Sequence, residues 1–182
     1  MPGCNPMFLQ LLRPERVLCY MIVPLAASLC GSAQGVTLGL SSGSGSPGSN
    51  VTLNMSLSGT DTNPSAALEW ILVYSPADFS SASVATGPAA IAASKFVSCT
   101  YAPRIAKCVL WGINATGLSN GVVATVSLTL STSTTNTSSA VQFALAEAAD
   151  AVGTSLAASA SGGIVTIPQT SGLTVFRAAR LQ

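Results

Sequence analysis

"LEWILVYSPADF", Leu68 to Phe79, runs as a strand into a turn. Two-residue alternation sets Leu68, Trp70, Leu72 and Tyr74 on one face and Glu69, Ile71, Val73 and Ser75 on the other. A half-buried strand would be polar on one side. Here the second face carries a single carboxylate beside two aliphatics, so it is either covered by more of the same chain or offered to another molecule.

The same grammar extends outward in both directions. Short runs rich in Val, Ile, Leu and Thr alternate with Gly, Ser, Asn and Pro clusters, which is the pattern of an all-β protein, an antiparallel β-sandwich. Candidate strands fall at 35–40, 50–57, 66–75, 95–102, 106–113, 122–130, 140–148 and 163–167, and "GPAAIAAS" (87–94) reads as a short helical turn or a loose strand. In "VVATVSLTL" (122–130), Val122, Ala124, Val126, Leu128 and Leu130 form an apolar face. Val123, Thr125, Ser127 and Thr129 form a flat, mostly hydroxylated one.

Composition narrows the function. Only 7% of the 182 residues are charged and there is no His, which removes most acid–base and metal chemistry. The start of the chain has the parts of a secretory signal: Arg13 and Arg16, the apolar run Val17 to Cys30, then small residues, with cleavage expected after Ala33. The apolar run is shorter than a spanning helix needs and Pro24 interrupts it, which disfavours a membrane anchor. Without residues 1–33 the chain keeps five of its seven basic and five of its six acidic residues and is formally neutral, so nucleic acid is not an expected partner. Residues 34–168 are expected to form one domain and 169–182 a tail or linker.

Cleavage would remove Cys4, Cys19 and Cys30 and leave Cys99 and Cys108. An even pair in an exported chain suggests a disulfide. A hairpin turning at Pro103-Arg104 sets these two residues directly opposite each other, within bridging distance. Two free thiols are the alternative.

For catalysis the chain offers Asp61, Glu69, Asp78, Glu147 and Asp150, with no His beside any Ser. Paired carboxylates suffice for a glycosidase, but five scattered acids read better as loop and rim solvation, and no enzyme, cofactor or metal is expected. Asp61 near Asn63, and Asp150 before Gly153, lack the dense oxygen set that calcium wants. Sequons occur at Asn50, Asn54, Asn114 and Asn136, and the sequence leaves them unresolved.

The order of features from Gly35 to Ile167 resembles a cohesin domain, the receptor module that captures dockerins on the scaffolding proteins of cellulose-degrading systems. The resemblance is carried by "VTLGLSSGSGSPGSNVTLNMSLSG", by "LVYSPADF" in place of a strand entering a Tyr-Asp-Pro corner, by "NGVVATVSLTL", and by the closing "ADAVGTSLAASASGGIVTI". It implies a nine-stranded jelly roll that binds through a sheet face. Ser75 stands where the corner usually has Asp, and Ala67 and Glu69 stand where family members often place Asn and Asp on the dockerin-contacting strand.

The resulting expectation is a secreted, non-catalytic, monomeric module, free of the membrane once its leader is cut. It recognises a dockerin-like protein domain through Glu69, Ile71 and Val73, placed next to Thr125 and Ser127. Direct polysaccharide binding is the first rival and a structural cell-surface role the second. Trp111 reads as a core aromatic or, less favoured, a sugar-stacking platform. Ile71 and Val73 have a bland alternative too, cover by a loop or by the tail.

Overall fold

In the computed structural model, which describes residues 35–60 and 64–169, the chain folds as two β-sheets around a shared core with one short helix. The leader at 1–33, the Asp61/Asn63 loop and all of the expected tail except Gln169 lie outside the described residues. The strands in chain order are β1 (Val36–Leu40), β2 (Gly43–Ser44), β3 (Asn50–Ser58), β4 (Ala67–Val73), β5 (Phe79–Thr86), β6 (Phe96–Ala102) and β7 (Ile105–Trp111). They continue with β8 (Gly121–Leu130), β9 (Ser138–Ala149), β10 (Ser155–Leu156), β11 (Ala158–Ser161) and β12 (Gly163–Thr166), and α1 spans Pro88–Ala92 between β5 and β6.

One sheet has the order β11-β1-β3-β8-β5 and the other β2-β12-β9-β4-β7-β6, with β10 beside β9. The described residues form twelve strands, where the family resemblance implies nine. The eight candidate strands of the sequence are all present, and the additions to them are β5 and the short β2, β10 and β11. Pairing is antiparallel except at one flank, where β1 pairs β11 and β12 pairs β2 in parallel. There the chain passes between sheets within a few residues, from β1 to β2 and from β11 to β12, which is the jelly-roll manner of curling two sheets into one closed layer pair. At the opposite flank, side chains join the edge strands: Val84 N–H donates to the Tyr101 hydroxyl (2.9 Å) and Val97 N–H to Thr86 Oγ1 (3.1 Å).

Alternation built this core. Leu68, Trp70, Leu72 and Tyr74 all point inward, Trp70 with no exposed surface, while Glu69, Ile71 and Val73 are half-exposed on the outer face. Against them pack Leu38, Leu53, Met55, Leu57, Val126, Leu128 and Leu130 from the other sheet. The face of β8 departs from strict alternation at one point. A bulge opposite Met55/Ser56 leaves Val123 unpaired, so Val123 is buried and Val122 moves to the half-exposed side, the reverse of what regular alternation predicts.

The corner after β4 carries the chain from one sheet to the other. Asp78 and Phe79 donate their N–H groups to Ser75 O (3.2 and 3.0 Å), and the Tyr74 and Phe79 rings meet edge to face at 6.2 Å. Asp78 is not the solvated rim carboxylate that the sequence suggests. It is 3% exposed, and its oxygens accept from Thr134 Oγ1 (2.7 Å), Asn136 Nδ2 (2.8 Å) and Ser139 Oγ (2.8 Å). Burial by itself would raise this carboxyl, but hydrogen bonds from Thr134, Ser139, Asn136 and Ser75 outweigh it and hold it below the ordinary aspartate value. The loop from β8 to β9 is thus tied to the corner that follows β4.

Candidate functional site

The hairpin β6–β7 turns at Pro103-Arg104, with Ala102 paired to Ile105, and sets Cys99 opposite Cys108. The two cysteines form a disulfide with Cα atoms 4.1 Å apart. Cys108 also faces Trp70 across β4–β7, so the bridge lies on the core side of the sheet. Alternation then sends Ile105, Lys107, Val109 and Trp111 outward from β7, beside Glu69, Ile71 and Val73 of β4.

The outer face of β6-β7-β4-β9 is therefore a continuous surface with a charged centre and an apolar surround. Lys107 Nζ meets Glu69 Oε1 at 2.8 Å. The Glu69 carboxylate holds the Lys107 ammonium above its usual value by that hydrogen bond and by its charge, and Glu147 adds to the effect. Glu147 is paired directly across from Glu69 in the β4–β9 ladder and acts on Lys107 through its charge, while Glu69 alone makes the ion pair. Such an exposed pair contributes little to stability and chiefly gives the face a polar register mark. Val109 is a ridge between two hollows: one of ≈ 250 Å³ bordered by Glu69, Glu147 and Ser155, and one of ≈ 470 Å³ bordered by Ser98, Thr100, Lys107 and Trp111.

At the far end stand Phe96 and Trp111, paired across β6–β7, with ring centroids 4.5 Å apart and planes at 67°. They are 44% and 42% exposed. Trp111 is thus a surface residue and not the core aromatic expected. The reason is register: Ala106, Cys108 and Leu110 take the inward positions of β7, which leaves Trp111 outside.

Thr125 and Ser127 correct the expectation more sharply. They lie on β8, in the five-stranded sheet, so they face away from the opposite side of the sandwich and do not adjoin Glu69, Ile71 and Val73. The outer face instead carries Lys107, Val109 and Phe96, which sequence reasoning missed, and Trp111, which it held as a surface aromatic only in second place; their signal is the two-residue period of β7 once its hairpin partner is known. Asp150 is spoken for within its own turn, where it accepts from the N–H groups of Val152 (2.9 Å) and Thr154 (2.8 Å). Those backbone donors, Thr154 first, hold its carboxyl below the usual value. Among the described residues no three His, Cys, Asp or Glu side chains gather as a metal site.

A family model for the cohesin domain matches residues 36–167. The chain belongs to the cohesin domain family. Solved cohesins share the fold of this cohesin at low identity. A type I cohesin–dockerin complex from Clostridium thermocellum superposes with a TM-score of 0.66 at 15% identity, covering 74% of this chain and 99% of that one. The sixth cohesin of Acetivibrio cellulolyticus scaffoldin B, in complex with the Cel5 dockerin, gives 0.64 at 18% over 74% and 99%. The non-cellulosomal cohesin from the archaeon Archaeoglobus fulgidus gives 0.62 at 17% over 75% and 94%. No curated protein matches this cohesin in sequence.

Proposed function

We propose that this cohesin is a secreted, monomeric, non-catalytic receptor that captures a dockerin-like protein domain on the outer face of β6-β7-β4-β9. The observation that carries the reading is the surface around Val109. An apolar ridge between two hollows, flanked by Ile71, Val73 and Trp111 and marked by the Glu69–Lys107 pair, has the anatomy of a protein interface, with desolvatable anchors beside a polar register. Structural neighbours that are complexes of cohesins with dockerins support it, as does the leader-like composition of residues 1–33. A polysaccharide-degrading setting is the natural context for such a receptor.

Calorimetric titration of the secreted chain against dockerin domains encoded in the same genome tests this. Saturable one-to-one binding is the expected result, and no binding to any of them overturns it. One observation favours a second reading, the exposed Phe96–Trp111 pair, because aromatic rings stack on sugars. Their planes stand at 67° and form no common platform, so a protein partner is preferred. Pull-down on insoluble cellulose or chitin separates the two.

A further inference from the structure

Four sequons are present, and the fold sorts them into two kinds. Asn114 and Asn136 use their amide nitrogens structurally. Asn114 Nδ2 donates to Ala93 O (3.3 Å) and Ser94 O (3.2 Å), its Oδ1 accepts from Thr116 N–H (3.1 Å), and its own carbonyl accepts from the buried Lys95 ammonium (2.8 Å). These bonds fasten the loop after β7 to the end of α1. Asn136 Nδ2 donates to the buried carboxylate of Asp78 (2.8 Å), and its carbonyl accepts from Gln169 (2.7 Å).

Asn50 and Asn54 behave differently. Both project outward from β3 on the five-stranded sheet and both are exposed. Among the described residues only the oxygen of the Asn50 side chain is used: Ser81 Oγ donates to Thr129 Oγ1 (2.7 Å), which donates to Asn50 Oδ1 (2.8 Å). Asn54 is held through its backbone N–H, which donates to Ser41 Oγ (2.9 Å). Around them the outward positions are Thr52, Ser56, Thr125, Ser127 and Thr129, a face without charge or aromatic bulk.

We infer that Asn50 and Asn54 are acceptor sites for an N-linked oligosaccharide, and that Asn114 and Asn136 are sequons withdrawn from modification by the fold. The donor is a polyprenyl-diphosphate-linked oligosaccharide, used by a membrane oligosaccharyl transferase. The Asn Nδ2–C1 bond forms as the C1–O bond to the diphosphate breaks. The diphosphate leaves with the electron pair, and one Nδ2 proton passes to a base of the transferase. Because the side-chain oxygen is untouched, the Thr129–Asn50 bond survives the transfer. On Asn114 or Asn136 a sugar must displace donors that hold a loop or satisfy a buried carboxylate, so chains carrying it fail to fold. The hydroxyl-rich surround of β3 accepts sugar hydroxyls without burying a charge. Asn50 and Asn54 lie on the sheet opposite the proposed partner face, so this inference does not depend on that reading.

The test is secretion of the full chain from a eukaryotic host, followed by peptide-N-glycosidase digestion in heavy-oxygen water, which converts each occupied Asn to labelled Asp for peptide mapping. Label confined to Asn50, Asn54 or both, in protein with a cooperative melt, is the expected result. Label at Asn114 or Asn136 in such protein, or no label at any site, overturns the inference. Two sets of variants guard the reading. Thr52→Ala and Ser56→Ala should each remove the sugar at their own sequon while the melt is kept, and Asn114→Gln should lower the melting temperature without changing the carbohydrate mass.

Discussion

Asp78 shows how much one buried carboxylate organises here. Thr134, Asn136 and Ser139 all aim donors at it, and hydrogen bonds to a charged acceptor are each worth about 1.5–3 kcal/mol. Asp78→Ala orphans the buried Thr134 and Ser139 hydroxyls and should cost on the order of 3 kcal/mol. The pH dependence follows from the direction of the shift. A carboxyl held below its unfolded value of ~3.9 contributes stability that is fully present above that value and is lost as pH falls through the folded one. Denaturant melts from pH 7 downward should therefore show Asp78→Asn weaker than wild type at pH 7, with the gap narrowing progressively once the pH falls below ~3.9. A gap that stays constant across that range would show that the carboxylate charge plays no part. Nothing in "SPADF" announces this role, because the donors sit 56 to 61 residues further along the chain, and only the fold brings them to the corner.

Strands were legible where inward and outward residues differ strongly. β4 is the clearest case, with three large inward residues, Leu68, Trp70 and Leu72, against Glu69, Ile71 and Val73. β5 was not legible: "FSSASVAT" sets Ala82 and Val84 against Ser81, Ser83 and Ala85, a contrast too small to reveal a period. The bulge at Val123 was equally silent, since an unpaired residue leaves no mark in composition. The β4 assignment makes a paired prediction. Trp70→Ala opens a cavity in the core and should cost ~3–5 kcal/mol, whereas Ile71→Asp, half-exposed, should melt close to wild type and lose the partner. Calorimetric melts with binding titrations decide it; the opposite pattern would invert the faces. For the β6–β7 hairpin, closing a loop of about ten residues is worth about 2.7 kcal/mol in the chain-entropy model. The double variant Cys99→Ala/Cys108→Ala should lose about that much in equilibrium unfolding, and an unchanged midpoint would show that register alone holds the hairpin.

The whole molecule presents two outer faces of opposite character. One sheet offers Ile71, Val73, Val109 and Trp111 around a salt bridge, and the other an uncharged plane of Thr, Ser and Asn. Each strand contributes a single outward row, so sequence alone could describe the Thr125/Ser127 row and the Ile71/Val73 row but not their placement; that depends on which sheet β8 joins. Because the core separates them, the faces should respond independently. Ser127→Lys should leave affinity for the proposed partner within about twofold, the scatter expected of distant sites, since its long stem can lie across neighbouring hydroxyls with the ammonium in water. Val109→Asp places a carboxylate on the ridge between the two hollows and should weaken binding by about thirtyfold or more, the loss of one desolvated anchor. Both variants should keep the wild-type melt, because neither position belongs to the core cluster. Loss of binding in Ser127→Lys with none in Val109→Asp would move the partner to the five-stranded sheet, and the hydroxyl plane would then be the receptor surface.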